Sequence, residues 1–79
     1  MRYVKGMVQV RGTTYRIVRL AHGQYQVVRI MDDAVIGKFS SEPRFELFPA
    51  GVDVALFRQI AFAAIQGGKT SWVGRLTMA

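Results

Sequence analysis

Residues 14–40 read TYRIVRLAHGQYQVVRIMDDAVIGKFS, and this stretch decides the fold. It is rich in Val, Ile and Tyr, which favour strands, and polar residues alternate with them. Two turn signals interrupt it about ten residues apart, first His22 with Gly23 and then Asp32 with Asp33. Short strands separated by turns at this spacing are typical of an antiparallel meander.

The same spacing of short strands and turns continues toward the N-terminus. Gly12 and Thr13 place glycine first, as a type II′ turn requires, and so predict another two-residue loop. The predicted strands cover about residues 7–11, 14–21, 24–31 and 34–40, and residues 2–5 are an expected extension of the first strand. We therefore expect a sheet of three to five strands within residues 2–40.

From Ser41 the pattern changes. Pro43 and Pro49 bracket residues 44–48, whose alternation allows either a short strand or an irregular segment that covers an edge. Asp53 is a suitable N-cap, the composition of residues 54–66 favours a helix, and two glycines follow as a stop signal. The predicted class is α+β, with one α-helix packed on one face of the meander. The predicted organisation is a single domain over residues 1–79, with the sheet at 2–40, a connecting segment at 41–52, the helix at 53–66 and a strand or tail at 67–79.

Length and composition exclude several functions. A chain of 79 residues with no cysteine and one histidine is too short for a multi-domain enzyme and has few residues for a metal site. The segment 63–70 resembles a phosphate-binding loop, but a predicted helix leads into it where that motif requires a strand. We expect no enzyme activity, cofactor, metal or small-molecule substrate. Charges near the N-terminus, and the lack of a long apolar run, predict a cytoplasmic protein that does not enter membranes.

The formal net charge of +6 is concentrated in the first third of the chain. Residues 32–79 contain as many acids as bases, and residues 1–31 contain no acid. The basic residues of that first third are Arg2, Lys5, Arg11, Arg16, Arg19 and Arg29. Arginine binds phosphate through two hydrogen bonds and also stacks on rings, so this distribution favours a polyanionic partner.

Two-residue loops would fix the strand register and sort the side chains onto two faces. They predict that Ile17 lies opposite Val28, with an apolar core on that face, and that Arg16 lies opposite Arg29 on the other face, with Lys38 one strand further on. Adjacent like charges destabilise a sheet, so this second face is suited to an anionic ligand. The other interpretation is a basic face that is simply solvated or covered by a partner.

A set of short motifs carries a family resemblance. These are Tyr15-Arg16-x-Val18-Arg19, Gly23-x-Tyr25, Arg29 and Ile36-Gly37-Lys38-Phe39. Over residues 14–40 the chain resembles AP2-type domains and the related arm-binding domains of integrases, which place a three-stranded sheet in the DNA major groove. The resemblance implies DNA contacts by Arg16, Arg19, Tyr25, Arg29 and Lys38. The chain departs from the family in its extra first strand and in residues 41–51, which separate the last strand from the helix.

The predicted helix is apolar around most of its circumference. Phe62 and Ile65 lie away from the expected core-facing side. Their cover could come from Trp72 and its neighbours in the same chain or from a second copy of the protein. A homodimer through Phe62, Ile65 and Trp72 is therefore one of two open alternatives.

The sequence thus predicts a small, non-catalytic nucleic-acid-binding domain, with DNA favoured over RNA. The candidate contacts are Arg11, Arg16, Arg19, Tyr25, Arg29 and Lys38. The alternative is a protein-interaction or homo-oligomerisation module whose positive charge serves solubility.

Overall fold

The computed structural model describes residues 4–65 and has the expected α+β class. A five-stranded antiparallel sheet follows chain order, and one helix comes after it. The strands are β1 Met7–Val10, β2 Thr13–Ala21, β3 Gln24–Arg29, β4 Ala34–Ser40 and β5 Glu46–Pro49, and the helix is α1 Val54–Ala64. The last three residues of the alternating segment 44–48, together with Pro49, form the edge strand β5. The strand or tail predicted at residues 67–79 lies outside the described residues.

The helix begins where its cap predicts. The Asp53 carboxylate accepts a hydrogen bond from the Leu56 backbone N–H at 2.7 Å, which satisfies one of the free donors of the first turn. The helix buries one side against the sheet.

The core lies between the helix and the sheet. It comprises Val8, Tyr15, Ile17, Val27, Ile36, Phe39, Phe57, Ile60, Ala61, Ala64 and Ile65. We call the side of the sheet that contacts the helix the inner face and the opposite side the outer face.

The first hairpin differs from its prediction. Arg11 and Gly12 form the loop, with φ of 52° and 80°, and Val10 pairs with Thr13. A two-residue loop with both φ angles positive matches the right-handed twist of the strands, and glycine at its second position carries no steric cost. The predicted loop, Gly12 and Thr13, is therefore wrong, because the actual loop lies one residue earlier in the chain. The resulting register differs from the predicted one by two residues, so β1 keeps its predicted faces.

The second hairpin has the predicted loop but not the predicted register. Ala21 pairs with Gln24 around His22 and Gly23, as expected. The pairing then shifts between Arg19 and Ala21, so a bulge at Leu20 offsets every earlier pair by one residue. Because side chains alternate along a strand, this single residue exchanges the two faces of β3.

The third connection is longer than predicted. Arg29 pairs with Ala34, so the loop between β3 and β4 has four residues, with Asp33 at φ of 59°. A second shift at Ile36 then brings Gly37 opposite Val27 and Ile36 into the core. The predicted pairs of Ile17 with Val28 and of Ile30 with Val35 are therefore wrong. Ile17 pairs with Val27, and Val28 pairs with Val35 on the outer face.

Candidate nucleic-acid interface

The outer face of the sheet carries polar, basic and apolar side chains side by side. Pairing and alternation place one row across Val18, Gln26, Lys38 and Phe48, and a neighbouring row across Gln24, Ser40 and Glu46. A third row runs through Met7, Arg16, Val28 and Val35. Val28 is buried although it lies outside the core cluster, so its neighbours on the outer face cover it. The exposed residues of these rows are Met7, Arg16, Gln24, Val35, Lys38 and Phe48.

Lys38 is the clearest free cation of the outer face. It lies between Gln26 and Phe48 and is exposed. Within residues 4–65 it forms no ion pair. Arg16 is the second cation, and its Nη2 lies 3.4 Å from Oδ1 of the exposed Asp33. A pair this long between exposed groups is weak, so both cations are accessible to an anion.

Arg29 is not on this face. The bulge at Leu20 pairs it with Tyr15, on the inner side, whereas Arg16 pairs with Val28. The predicted juxtaposition of Arg16 and Arg29 is therefore wrong. The Arg29 guanidinium instead holds Asp32, with Nε 3.0 Å from Oδ1 and Nη2 2.8 Å from Oδ2.

Tyr25 and Arg19 are also on the inner side. They pair with each other across β2 and β3, and the Tyr25 ring stacks on Phe39 at 5.3 Å and 25°. Tyr25 is half-buried, so it is not presented to a base on the outer face. Both residues line a depression of about 510 Å³ beside His22 and Glu42, which contact each other at 2.6 Å.

Arg11 lies in the first hairpin loop and contacts the helix. Its Nε donates a hydrogen bond to Oε1 of Gln59 at 3.1 Å. Of the six predicted contact residues, the structure therefore brings only Arg16 and Lys38 together on the outer face. The residues that the resemblance to AP2-type domains implied as DNA contacts do not form one surface.

The acidic side chains of residues 4–65 have partners within the fold. Three pair with arginine, one contacts histidine and one caps the helix; these are Asp32, Asp33, Glu46, Glu42 and Asp53. Five cations form no ion pair within the described part of the chain, namely Lys5, Arg11, Arg19, Lys38 and Arg58. The positive charge is therefore largely uncompensated at the surface, which suits a polyanionic partner.

Phe48, Gln24 and Gln26 are the outer-face residues that sequence reasoning missed. Phe48 is 53% exposed and lies beside Lys38. The alternation of residues 44–48 indicated a strand that includes Phe48. It did not indicate which face Phe48 lies on, because that depends on the register of β5 against β4. The glutamines of β3 required the bulge at Leu20 to reach this face.

Two of the three residues predicted for a dimer interface, Ile65 and Phe62, pack within the chain. Ile65 is fully buried in the core, so its side chain is not exposed at the surface. Phe62 is half-buried, and its ring lies 5.2 Å from that of Phe45. Trp72 lies outside the described residues. The homodimer itself stays a prediction.

Within residues 4–65, no group of His, Asp or Glu side chains is arranged to hold a metal ion. Nor does any helical segment of this region combine the length and apolar character needed to cross a bilayer. Comparison with known proteins found no matching family, no similar curated protein and no similar solved structure.

Proposed function

We propose that this protein is a small, non-catalytic nucleic-acid-binding domain of the cytoplasm that binds through the outer face of its sheet. DNA is favoured over RNA, as the sequence predicts. The observation that carries the proposal is the outer face, which exposes Lys38 beside Gln26 and exposes Arg16 in another row, while Asp32, Glu42 and Asp53 have their partners elsewhere in the fold.

Each group has a role in this proposal. Lys38 and Arg16 contact phosphates, because basic side chains on a sheet supply most of the affinity for a nucleic-acid backbone. Gln24 and Gln26 hydrogen-bond to base edges, since an amide both donates and accepts. Arg11 and Arg19 lie off this face and add long-range attraction that speeds association.

A titration with matched variants tests the proposal. Fluorescently labelled duplex DNA, single-stranded DNA and RNA are titrated at about 50 mM and about 200 mM salt, because phosphate contacts make affinity fall steeply with salt. Lys38→Gln and Arg16→Gln are each expected to weaken binding and to reduce the salt slope by about one. Arg58→Gln is the control, because it removes the same charge from an exposed site on the helix.

Two results would contradict the proposal. One is the absence of binding to every nucleic acid at low salt. The other is an equal loss of affinity in Lys38→Gln and Arg58→Gln, which would mean that net charge alone attracts the ligand. Amide shifts of ¹⁵N-labelled protein should cluster on β2, β3 and β4.

Three apolar side chains on the outer face favour a second candidate, a protein-interaction module. Met7, Val35 and Phe48 are 56%, 51% and 53% exposed. Large exposed apolar side chains on one face are common at protein interfaces. Such a module would bind its partner with little dependence on salt, so the same two salt concentrations separate the candidates.

A further inference from the structure

A depression of about 300 Å³ opens on the outer face beside β5. Its volume is at the lower end of the range of about 300–1,000 Å³ for small-ligand sites, so it suits one ring system rather than a long ligand. It is lined by Gln24, Lys38, Phe39, Ser40, Glu46 and Phe48.

The depression exists because a small residue lies between two larger ones. Ser40 pairs with Gln24 on one side and with Glu46 on the other. Its hydroxyl lies 2.9 Å and 3.0 Å from the carbonyl oxygens of Glu42 and Arg44, to which it can donate. The Ser40 side chain therefore contacts the adjacent backbone, and a space remains between Gln24 and Glu46.

The walls provide the groups that recognise a nucleobase. Phe48 offers an exposed aromatic ring, and Lys38 lies directly across from it with its ammonium free of carboxylates within residues 4–65. Gln24 can donate and accept hydrogen bonds, whereas the Glu46 carboxylate only accepts. Arg44 Nε holds Oε2 of Glu46 at 3.0 Å, so the second carboxylate oxygen can accept from a ligand.

We propose that this depression binds one unstacked nucleobase, and that the preferred ligand is therefore single-stranded. The inference rests on the proposed function and deepens it. The base stacks on Phe48, Lys38 contacts a neighbouring phosphate, and Gln24 and Glu46 contact the edge of the base. Bases within a duplex are stacked and paired, so they cannot enter without unpairing at a cost of a few kcal/mol.

The carboxylate also sets a base preference. The adenine N6 and cytosine N4 amino groups can donate to Glu46. Thymine, uracil and guanine place a carbonyl oxygen at the corresponding position, which a carboxylate cannot contact favourably. The site thus prefers adenine or cytosine.

The test compares oligonucleotides of equal length by fluorescence anisotropy. The probes are single strands of only deoxyadenosine, only deoxycytidine and only thymidine, and one duplex of mixed sequence. Wild type should bind the adenosine and cytidine strands more tightly than the thymidine strand or the duplex. Phe48→Leu should weaken single-strand binding by about fivefold to 150-fold, the range observed when an aromatic stacking partner is removed. Met7→Leu is the matched control, because it changes an exposed apolar side chain of the same face outside the depression.

Glu46→Gln tests the base preference separately, because an amide can donate to a carbonyl oxygen. Its thymidine-strand affinity should rise toward that of the other strands. Ring protons of Phe48 should shift upfield in NMR spectra of the complex with the adenosine strand. Circular dichroism verifies that each variant folds.

The outcomes distinguish this inference from the proposed function. Duplex binding that equals single-strand binding and is unaffected by Phe48→Leu, but is weakened by Lys38→Gln, would overturn the base site and leave the nucleic-acid function standing. Thymidine binding equal to adenosine binding would overturn the base preference. Failure of every probe to bind would overturn both proposals.

Discussion

Arg29 and Asp32 close the four-residue loop between β3 and β4 through a two-point ion pair, with N···O distances of 3.0 Å and 2.8 Å. Parallel hydrogen bonds from a guanidinium to a carboxylate are the most directional ion pairs available to side chains. Oδ1 of Asp32 also lies 3.4 Å from the Ala34 backbone N–H. The aspartate therefore ties both ends of the loop, and Arg29 acts as a structural residue.

Replacement of Arg29 should alter the titration of Asp32. The hydrogen bond from Arg29 is the main cause that holds the pKa of Asp32 below its ordinary value of 3.8. Arg29→Gln should move that pKa upward, toward 3.8, as measured by the carboxyl ¹³C shift of Asp32. Arg16→Gln serves as the control and should leave it unchanged, since Arg16 contacts Asp33.

The same pair predicts a pH dependence of stability. A carboxylate with a lowered pKa in the fold stabilises the native state above the pKa of the unfolded chain, and this contribution is lost as pH falls through the native pKa. The contribution of Asp32 should therefore be complete above about pH 5 and decline below pH 3.8, its ordinary pKa. Urea denaturation of wild type and Asp32→Asn between pH 2 and 6 checks this. The difference between the two proteins should narrow as the pH is lowered, and a constant difference would contradict the prediction.

Gly37 lies where the chain has no room for a side chain. Its φ is 145°, and a Cβ built there would lie 2.6 Å from Cε1 of Phe57 and 2.7 Å from the carbonyl oxygen of Phe48. Gly37→Ala combines backbone strain with overpacking and should lower the free energy of unfolding by about 2–4 kcal/mol. Gly12→Ala provides a comparison, because its φ of 80° is also positive but no atom beyond the adjacent residues of the chain lies within 4 Å of the added Cβ. Chemical denaturation should therefore show a larger loss at Gly37, and equal losses would mean that the close contact with Phe57 is absent.

The helix cap can be tested independently of the sheet. Asp53→Ala removes the acceptor for the Leu56 N–H and should cost about 0.5–2 kcal/mol. Asp53→Asn keeps an acceptor oxygen at this position and should restore most of that stability. Thermal melts of wild type, Asp53→Ala and Asp53→Asn measure these changes in stability. Identical losses of stability in the two variants would show that the charge of Asp53, and not its role as a cap, stabilises the helix.

Local signals in the sequence predicted the parts of the fold that depend on local chemistry. The turn at His22 and Gly23 and the cap at Asp53 are confirmed, because each depends on a few adjacent residues. The class followed from the spacing of turns and from one helix-forming segment. These features need no knowledge of the distant partners of a residue.

The candidate site could not be predicted to the same degree, because it depends on register. A bulge at Leu20 leaves no distinctive residue in the sequence, yet it turns Arg29 and Tyr25 to the inner side and Gln24 and Gln26 to the outer face. Phe48 joins the site only through the pairing of β5 with β4. An error of one residue in a sheet therefore reassigns a whole surface while the fold class stays correct.

Phe45 and Phe62 link the segment before β5 to the helix. Their ring centroids are 5.2 Å apart, and Phe45 also lies 6.4 Å from Phe39 in the core. A double-mutant cycle with Phe45→Leu and Phe62→Leu should give a coupling of about 0.5–1.5 kcal/mol, the value typical of packed aromatic pairs.

Sedimentation of wild type and Phe62→Asp tests the predicted dimer at the same residue. Since Phe62 already packs within the chain, we expect the mutation to lower stability without changing the sedimenting mass. Negligible coupling together with a fall from dimer to monomer mass would instead place a second copy of the protein against the helix.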